Sequence, residues 1–140
     1  MASDRNGIDV MTIEECWTAL ATTPVGRVAF VSAGSPVILP VNFALDGRSV
    51  VIRSAGGDKL HAASLGQAVA FEVDDWNADD RTGWSVLVQG IAEEVEDAPT
   101  IVRFQALGLT PGADSVARDR WIRIRTEEIT GRRVRHETAG

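Results

Sequence analysis

Residues 36–65 read P-V-I-L-P-V-N-F-A-L-D-G-R-S-V-V-I-R-S-A-G-G-D-K-L-H-A-A-S-L. The pattern is strand, tight turn, strand, glycine pair and short helix. Val37, Leu39, Val41, Phe43 and Leu45 alternate with other residues, so they line one face of a strand. Asp46-Gly47 falls between two β-like runs, and Asp-Gly tolerates the positive φ that a type I′ turn needs at both central positions. The return strand runs from Val50 to Ser54. Gly56-Gly57 then lead to Asp58, an N-cap residue, and to Lys59 in the first turn of a helix that Gly66 would close.

Lys59 is out of place by local electrostatics. A helix N-terminus carries partial positive charge and disfavours a cation. Arg53, Ser54, the two glycines, free backbone N–H groups and Lys59 would together make an anion site, with phosphate as the natural occupant. The plainer reading has Asp58 neutralising Lys59 and Arg53 as a solvated strand end.

Working outward, a chain of 140 residues predicts one domain over 11–135, with polar tails at 1–10 and 136–140. At 44% hydrophobic and 24% charged residues, it has the composition of a soluble globular protein. A net charge of −6 argues against nucleic acid and anionic membrane surfaces as partners. Cys16 is the single cysteine, which excludes an internal disulfide and fits a reducing cytoplasm. No long apolar run predicts a signal peptide or a membrane span.

Thr12 and Glu15 have capping-box spacing, and Ile13, Trp17 and Leu20 recur at helical spacing up to Pro24. Trp17 is read as a core anchor and Cys16 as an inert apolar group. Gly26 to Val31 is a first strand, turned by residues 33–36. Pro36 and Pro40 cannot donate ladder hydrogen bonds, so the second strand belongs at a sheet edge or carries a bulge. Asn42, among apolar neighbours, serves either a ligand's carbonyl and ring nitrogens or an edge backbone group. Ala68 to Val73 is a strand, and residues 74–83 are an acidic solvated loop. A calcium loop fails there, with Asp80 where glycine is needed and Val86 where glutamate is needed. Trp84 to Val95 is a long strand with a bend at Gly90. Residues 99–107 form a short helix. Trp121 to Arg125 alternate as a strand, which residues 131–134 continue or return. About six strands with few helices predict a mainly β, antiparallel barrel with peripheral helices. Its interior is filled by side chains, so a ligand would lie on the outer wall or at a subunit interface.

The chemistry-bearing fingerprints are missing. There is no G-x-G-x-x-G, no P-loop spacing before Lys59 and no G-x-S-x-G elbow. His61 and His136 with Cys16 make no zinc site, and His61 is read as a helix-surface residue near the anion. No acid–base pair is visible, so catalytic residues remain unassigned and any chemistry belongs to a bound cofactor.

G-R-V-A-F-V, P-V-N-F-A-L-D-G-R-S-V-V-I-R-S, G-G-D-K, W-S-V-L-V-Q-G and the C-terminal W-I-R-I-R with I-T-G-R-R together resemble the pyridoxamine 5′-phosphate oxidase-like family of flavin-binding split barrels. The resemblance implies a six-stranded split barrel and a homodimer with FMN in a groove at the interface. It implies that Arg53, Ser54 and Lys59 meet the FMN phosphate. Pro40, Val41, Asn42 and Phe43 would run along the flavin ring, and Trp84 and Ser85 would open a strand that contacts the cofactor. Relatives often have Gln where Ser85 stands. Trp121 would approach the flavin from the partner subunit or pack the interface. The oxidase proper extends into a segment rich in Arg and His that binds its vitamin substrate. This chain reaches Gly140 without one, so the expectation is a different small-molecule oxidoreductase. Deazaflavin in place of FMN, or a flavin- or heme-binding module without turnover, are the alternatives. If the phosphate cradle exists, Lys59→Ala should weaken a phosphorylated ligand about tenfold or more in a binding titration. Unchanged affinity would return Lys59 to a solvated cation.

Overall fold

The computed structural model describes residues 7–55, 60–61, 65–109 and 119–135. The elements are β1 (Ile8–Val10), α1 (Ile13–Leu20), β2 (Val25–Ser32), β3 (Ser35–Asn42), β4 (Ala44–Asp46), β5 (Ser49–Ala55), β6 (Leu65–Asn77), β7 (Thr82–Val95), α2 (Ala98–Gln105) and β8 (Asp119–Val134). The strands form one antiparallel sheet in the order β3-β2-β6-β7-β8-β5-β4, and β1 pairs with the far end of β8. The sheet curls until β3 lies beside β5. This is the mainly β split barrel expected, with α1 and α2 peripheral.

Six strands are long and match the expected count, and β1 and β4 are three-residue additions. Ile8–Val10 was read as tail but pairs with residues 132–134 of β8. β3 is an edge strand, as its two prolines require. It ends at Asn42, because the Phe43 N–H leaves the ladder to donate to the Pro24 carbonyl at 3.1 Å.

The turn chemistry differs from the expectation. Asp46 pairs with Ser49, so the hairpin loop is Gly47-Arg48, one residue later than Asp46-Gly47. Gly47 has φ 58, while Arg48 is not among the positive-φ residues, so the loop is not type I′. The two-residue loop with positive φ at both positions is Ala33-Gly34, at 51 and 80. Gly66, expected to cap a helix, lies inside β6 with φ 83, where the register shifts between Leu65 and Ala68. The acidic loop is shorter than expected. β6 continues to Asn77, and the turn is confined to residues 78–81. Asn77 Oδ1 accepts the Asp79 N–H at 3.0 Å, and Asp80 Oδ1 accepts the Thr82 N–H at 3.1 Å, which closes it.

β8 is one strand of 16 residues. Its ladder with β7 jumps from Gln89↔Glu128 to Gly90↔Thr126, skipping Glu127 as a bulge. A Cβ on Gly90 would collide with the Arg125 carbonyl, so the bend needs glycine.

The barrel interior is packed by Val28, Phe71, Val88, Ile52 and Ile124, all essentially inaccessible. Phe43 closes one end edge-on to Phe71, with centroids 4.9 Å apart. α1 packs on the same core through Cys16, Trp17 and Leu20. Its capping box is complete, with Thr12 Oγ1 accepting the Glu15 N–H at 3.1 Å and Glu15 Oε1 accepting the Thr12 N–H at 3.0 Å. The Thr12 backbone and then Arg133 hold the Glu15 carboxyl below its ordinary value. Arg133 donates to Glu15 at 3.0 Å, tying α1 to β8. Cys16 is buried against Gly131, and burial pushes its thiol up, consistent with an inert core group.

α2 is capped by Asp97, which accepts the Thr100 N–H at 3.0 Å. It closes a second cluster, in which Phe104 packs on Trp121, Val51 and Val95. Arg103 clamps the helix to the β4 end through two bonds to Asp46, at 3.2 and 2.9 Å. Among the described residues no helix is long and apolar enough to cross a membrane.

A Cβ at Gly131 would sit 2.6 Å from Cys16 Sγ and 3.0 Å from Met11 Sδ. Gly131→Ala should therefore destabilise the protein by about 1–3 kcal/mol. In a Cys16→Ala background the added methyl should be tolerated better. Chemical denaturation of the two single variants and the double variant measures this, and strict additivity would mean the two sites do not touch.

Candidate functional site

Strand alternation gives the sheet an inner face that fills the barrel and an outer face that does not. Val28 and Phe30 of β2 point in, while Val25, Arg27, Ala29 and Val31 point out. The registers align the outer side chains in rows across the strands. One row is Ile38–Ala29–Ala70–Gln89–Glu128, and the next is Pro40–Arg27–Glu72–Leu87–Thr130. Beyond them, Asn42 pairs with Val25, and Asp74, Ser85 and Arg132 pair in turn. The face is apolar for a surface. Ile38 is 66% exposed, Val31 56% and Trp76 56%. A groove of about 570 Å³ runs along it, lined by Ala29, Val31, Pro36, Ile38, Ala70 and Gln89 among others.

One charged island interrupts this surface. Arg27 Nη1 donates to Glu72 Oε1 at 3.3 Å and to Asp74 Oδ2 at 3.4 Å. Glu72 and Asp74 are two residues apart on β6 and share its outer face. Burial, together with the hydrogen bond and charge of Asp74, raises the Glu72 carboxyl to about 7 despite Arg27. The pair therefore holds a proton close to neutrality. Sequence reading missed it by ending the strand at Val73 and assigning Asp74 to a loop. The signal was F-E-V-D, whose alternation puts Glu72 and Asp74 on the face opposite Phe71 and Val73.

Arg53 lies on the outer side of β5, under the loop that follows α2. Its guanidinium is 5.0 Å from the centre of the Trp121 ring and donates to the Leu109 carbonyl at 3.0 Å. Trp121 is its register partner on β8 and is almost fully buried. A cation is thus held in place by a ring and a carbonyl. Ser54, next in sequence, points to the other face and is buried beside Arg120 in the register. Near it Glu94 forms an ion pair with Arg120 Nε at 3.5 Å and meets His61 Nε2 at 3.3 Å.

The residues expected at a cofactor site divide accordingly. Asn42 and Ser85 are exposed on the outer face, on either side of the Arg27–Glu72–Asp74 island. Pro40 is exposed beside Arg27. Val41 and Trp84 are half-buried and pack inward against the main core, and the Phe43 ring belongs to that core. Arg53 and Trp121 come together. Lys59, Gly56, Gly57, Asp58 and His136 lie outside the described residues. Among the described residues no group of three His, Cys, Asp or Glu side chains is placed to hold a metal ion.

Comparison with known proteins agrees with this architecture. The family model described as pyridoxamine 5′-phosphate oxidase matches residues 12–133. An uncharacterised protein of Mycobacterium tuberculosis is 37% identical over 147 residues, covering 95% of this chain and 91% of its own length. The structure of the FAD-binding protein of Mycobacterium smegmatis superposes with a TM-score of 0.78 at 34% identity, covering 90% of this chain and 99% of that one. An FAD-binding protein of Mesorhizobium loti superposes with a TM-score of 0.72 at 25% identity, covering 91% and 99%.

The Glu72 proton has a consequence for stability. The folded state holds it more tightly than the unfolded chain, whose carboxyl titrates near 4.5. Stability from this group is therefore full below 4.5 and is lost as pH rises towards about 7. Glu72→Gln should remove that loss. The variant should match the parent at acid pH and melt higher than it at pH about 8, as read by thermal unfolding across pH. Parallel melting curves would show that Glu72 titrates normally.

Proposed function

The chain belongs to the pyridoxamine 5′-phosphate oxidase family, and from that premise we propose that it is a flavin-binding oxidoreductase acting on a small molecule. The observation that carries the reading is its likeness, at 34% identity over 90% of its length, to a protein that binds FAD. A second flavin-binding relative at 25% identity points the same way. Both relatives bind FAD, which favours the dinucleotide over FMN as the form carried here.

The residues present suit such a group. Arg53 offers a cation already oriented by Trp121 and Leu109, suited to a phosphate of the cofactor. Among the described residues edge strand β3 has one side without a sheet neighbour, and its end at Pro40–Asn42 suits the polar rim of a ring system. Asn42 and Ser85 offer side-chain hydrogen bonds on the same face. When bound, the flavin would supply the two-electron chemistry. The chain's own contribution is to bind, to orient and to exclude water. The apolar outer face calls for a cover, and we assign that role to a second copy of the chain, with the cofactor groove at the junction. A lone, buried cysteine suits a reducing, cytoplasmic setting.

The absorption spectrum of the purified protein and the mass of the molecule released on denaturation test the assignment. Flavin absorption bands and the mass of FAD are expected. Arg53→Ala should lower flavin affinity about tenfold or more, because a charge-assisted hydrogen bond contributes about 1.5–3 kcal/mol. A colourless protein that takes up neither FAD nor FMN would overturn the reading, and a deazaflavin or heme spectrum would replace the cofactor.

A further inference from the structure

The Arg27–Glu72–Asp74 island stands in the middle of the face that the proposed second copy would cover, and its ionised form carries one uncompensated negative charge. We propose that a second copy docks on this face of β2, β3, β6 and β7 and that each chain takes up one proton from solvent, onto the Glu72–Asp74 pair, as the two associate. The inference rests on the two-copy reading above and adds its regulation by pH.

The occupant follows from the pattern of the face. A two-fold interface must be complementary to itself. On the outer side of β8, Glu128, Thr130 and Arg132 follow in order, acid at one end and base at the other. Reversing one copy about an axis through the middle of the face sets the Glu128 of each against the Arg132 of the other. Leu87 lies in the row between those ends, and Ile38, Val31, Ala29 and Ala70 spread across β3, β2 and β6 at and beyond the Glu128 row, all needing an apolar partner. The face has neither the lysine and arginine stripe of a nucleic-acid surface nor a single-sign field.

The proton follows from charge. Arg27 with two ionised carboxylates leaves a net −1, whereas one proton on the pair makes the island neutral. Burying an unpaired charge is far more costly than burying a neutral hydrogen-bonded cluster. The groups facing Glu72 leave no other source of neutralisation. β2 brings only Arg27, β3 brings Pro40 and Asn42, and β7 brings Ser85, Leu87 and Gln89, none of them charged but Arg27. Asp74 is its neighbour on β6. Glu128 and Arg132 are one strand further away, on β8. The Glu72 carboxyl, raised to about 7 in the single chain, is poised to accept the proton at small expense.

The test is the dimer dissociation constant of the full chain, with matched cofactor occupancy, by sedimentation equilibrium at pH about 6 and about 8.5. One proton per chain is two per dimer, so the parent Kd should rise about hundredfold per pH unit above the titration. Glu72→Gln, neutral at every pH, should bind tightly at both and show no such rise. Ile38→Asp should weaken association at both pH values and keep the pH dependence. A parent Kd that does not change with pH, or a Glu72→Gln variant that keeps the dependence, would overturn the proton linkage while leaving the two-copy reading. An unaffected Ile38→Asp dimer would move the interface elsewhere. A monomer at every pH would overturn both readings and leave the face to another partner.

Discussion

The skipped residue opposite Gly90 governs this molecule. Upstream of the bulge, β8 turns its even positions inward, so that Ile122 and Ile124 fill the barrel. Downstream it turns its odd positions inward, so that Ile129 packs on the core and Gly131 meets Cys16 of α1. One strand of fixed period two cannot do both without losing a residue from the ladder, and Glu127 is the residue lost. Glycine at position 90 lets the Arg125 carbonyl close in and the strand bend. The two halves of β8 then serve different neighbours, β5 on one half and β1 on the other, and the sheet can curl. A single register slip elsewhere in β6, β7 or β8 would exchange the core for the outer face.

That strict two-sidedness explains the placement of chemistry. Among the described residues the inner face is mostly consumed by packing, with a buried Thr126 hydroxyl at the bulge and Ser54, Arg120, Glu94 and His61 gathered at the rim. Everything able to meet a partner or ligand has been turned outward. Arg53 and Ser54 illustrate the rule, since neighbours in sequence cannot share a face of a strand. Arg53 joins Trp121 and the α2 cluster, and Ser54 joins the rim. A phosphate held by both would have to reach across the two faces of β5.

Much of the fold was legible because alternation is a strong signal. The prolines at 36 and 40 announced an edge strand, Thr12 and Glu15 a capped helix, and Gly90 a bend. The misreadings have physical causes. The sequence leaves open whether residues 131–134 continue or return the strand of 121–125, because the bulge breaks the pattern between them, and they continue it. Asp74 and Asp75 looked like loop because acidic residues are rare in strands, yet Arg27 across the ladder offsets the charge. Asp46-Gly47 looked like a type I′ turn on composition, but glycine took the first loop position and Asp46 stayed in the ladder to receive Arg103. The phosphate cradle around Lys59 lies outside the described residues, so Arg53 alone carries that part of the expectation into the structure.

The charged island was legible in neither composition nor motif, because it is a property of two strands side by side. Arg27 and Glu72 are 45 residues apart in sequence and are brought together only by the β2–β6 register. Such a cluster adds little stability where it lies. A half-exposed ion pair contributes at most about 1 kcal/mol, and the second carboxylate works against the first. A surface that needed only solubility would separate these charges. A barrel that needed only packing would have placed alanine here, as it does one row above at Ala29 and Ala70. The island sits among Pro40 and Leu87 with Asn42 and Ser85 on either side, so under the two-copy proposal its charge state becomes a control on what covers it. Coupling association to a proton needs no moving part in this fold. It needs two carboxylates on one strand face, one guanidinium too few to neutralise both, and the β2–β6 register that sets Arg27 opposite Glu72.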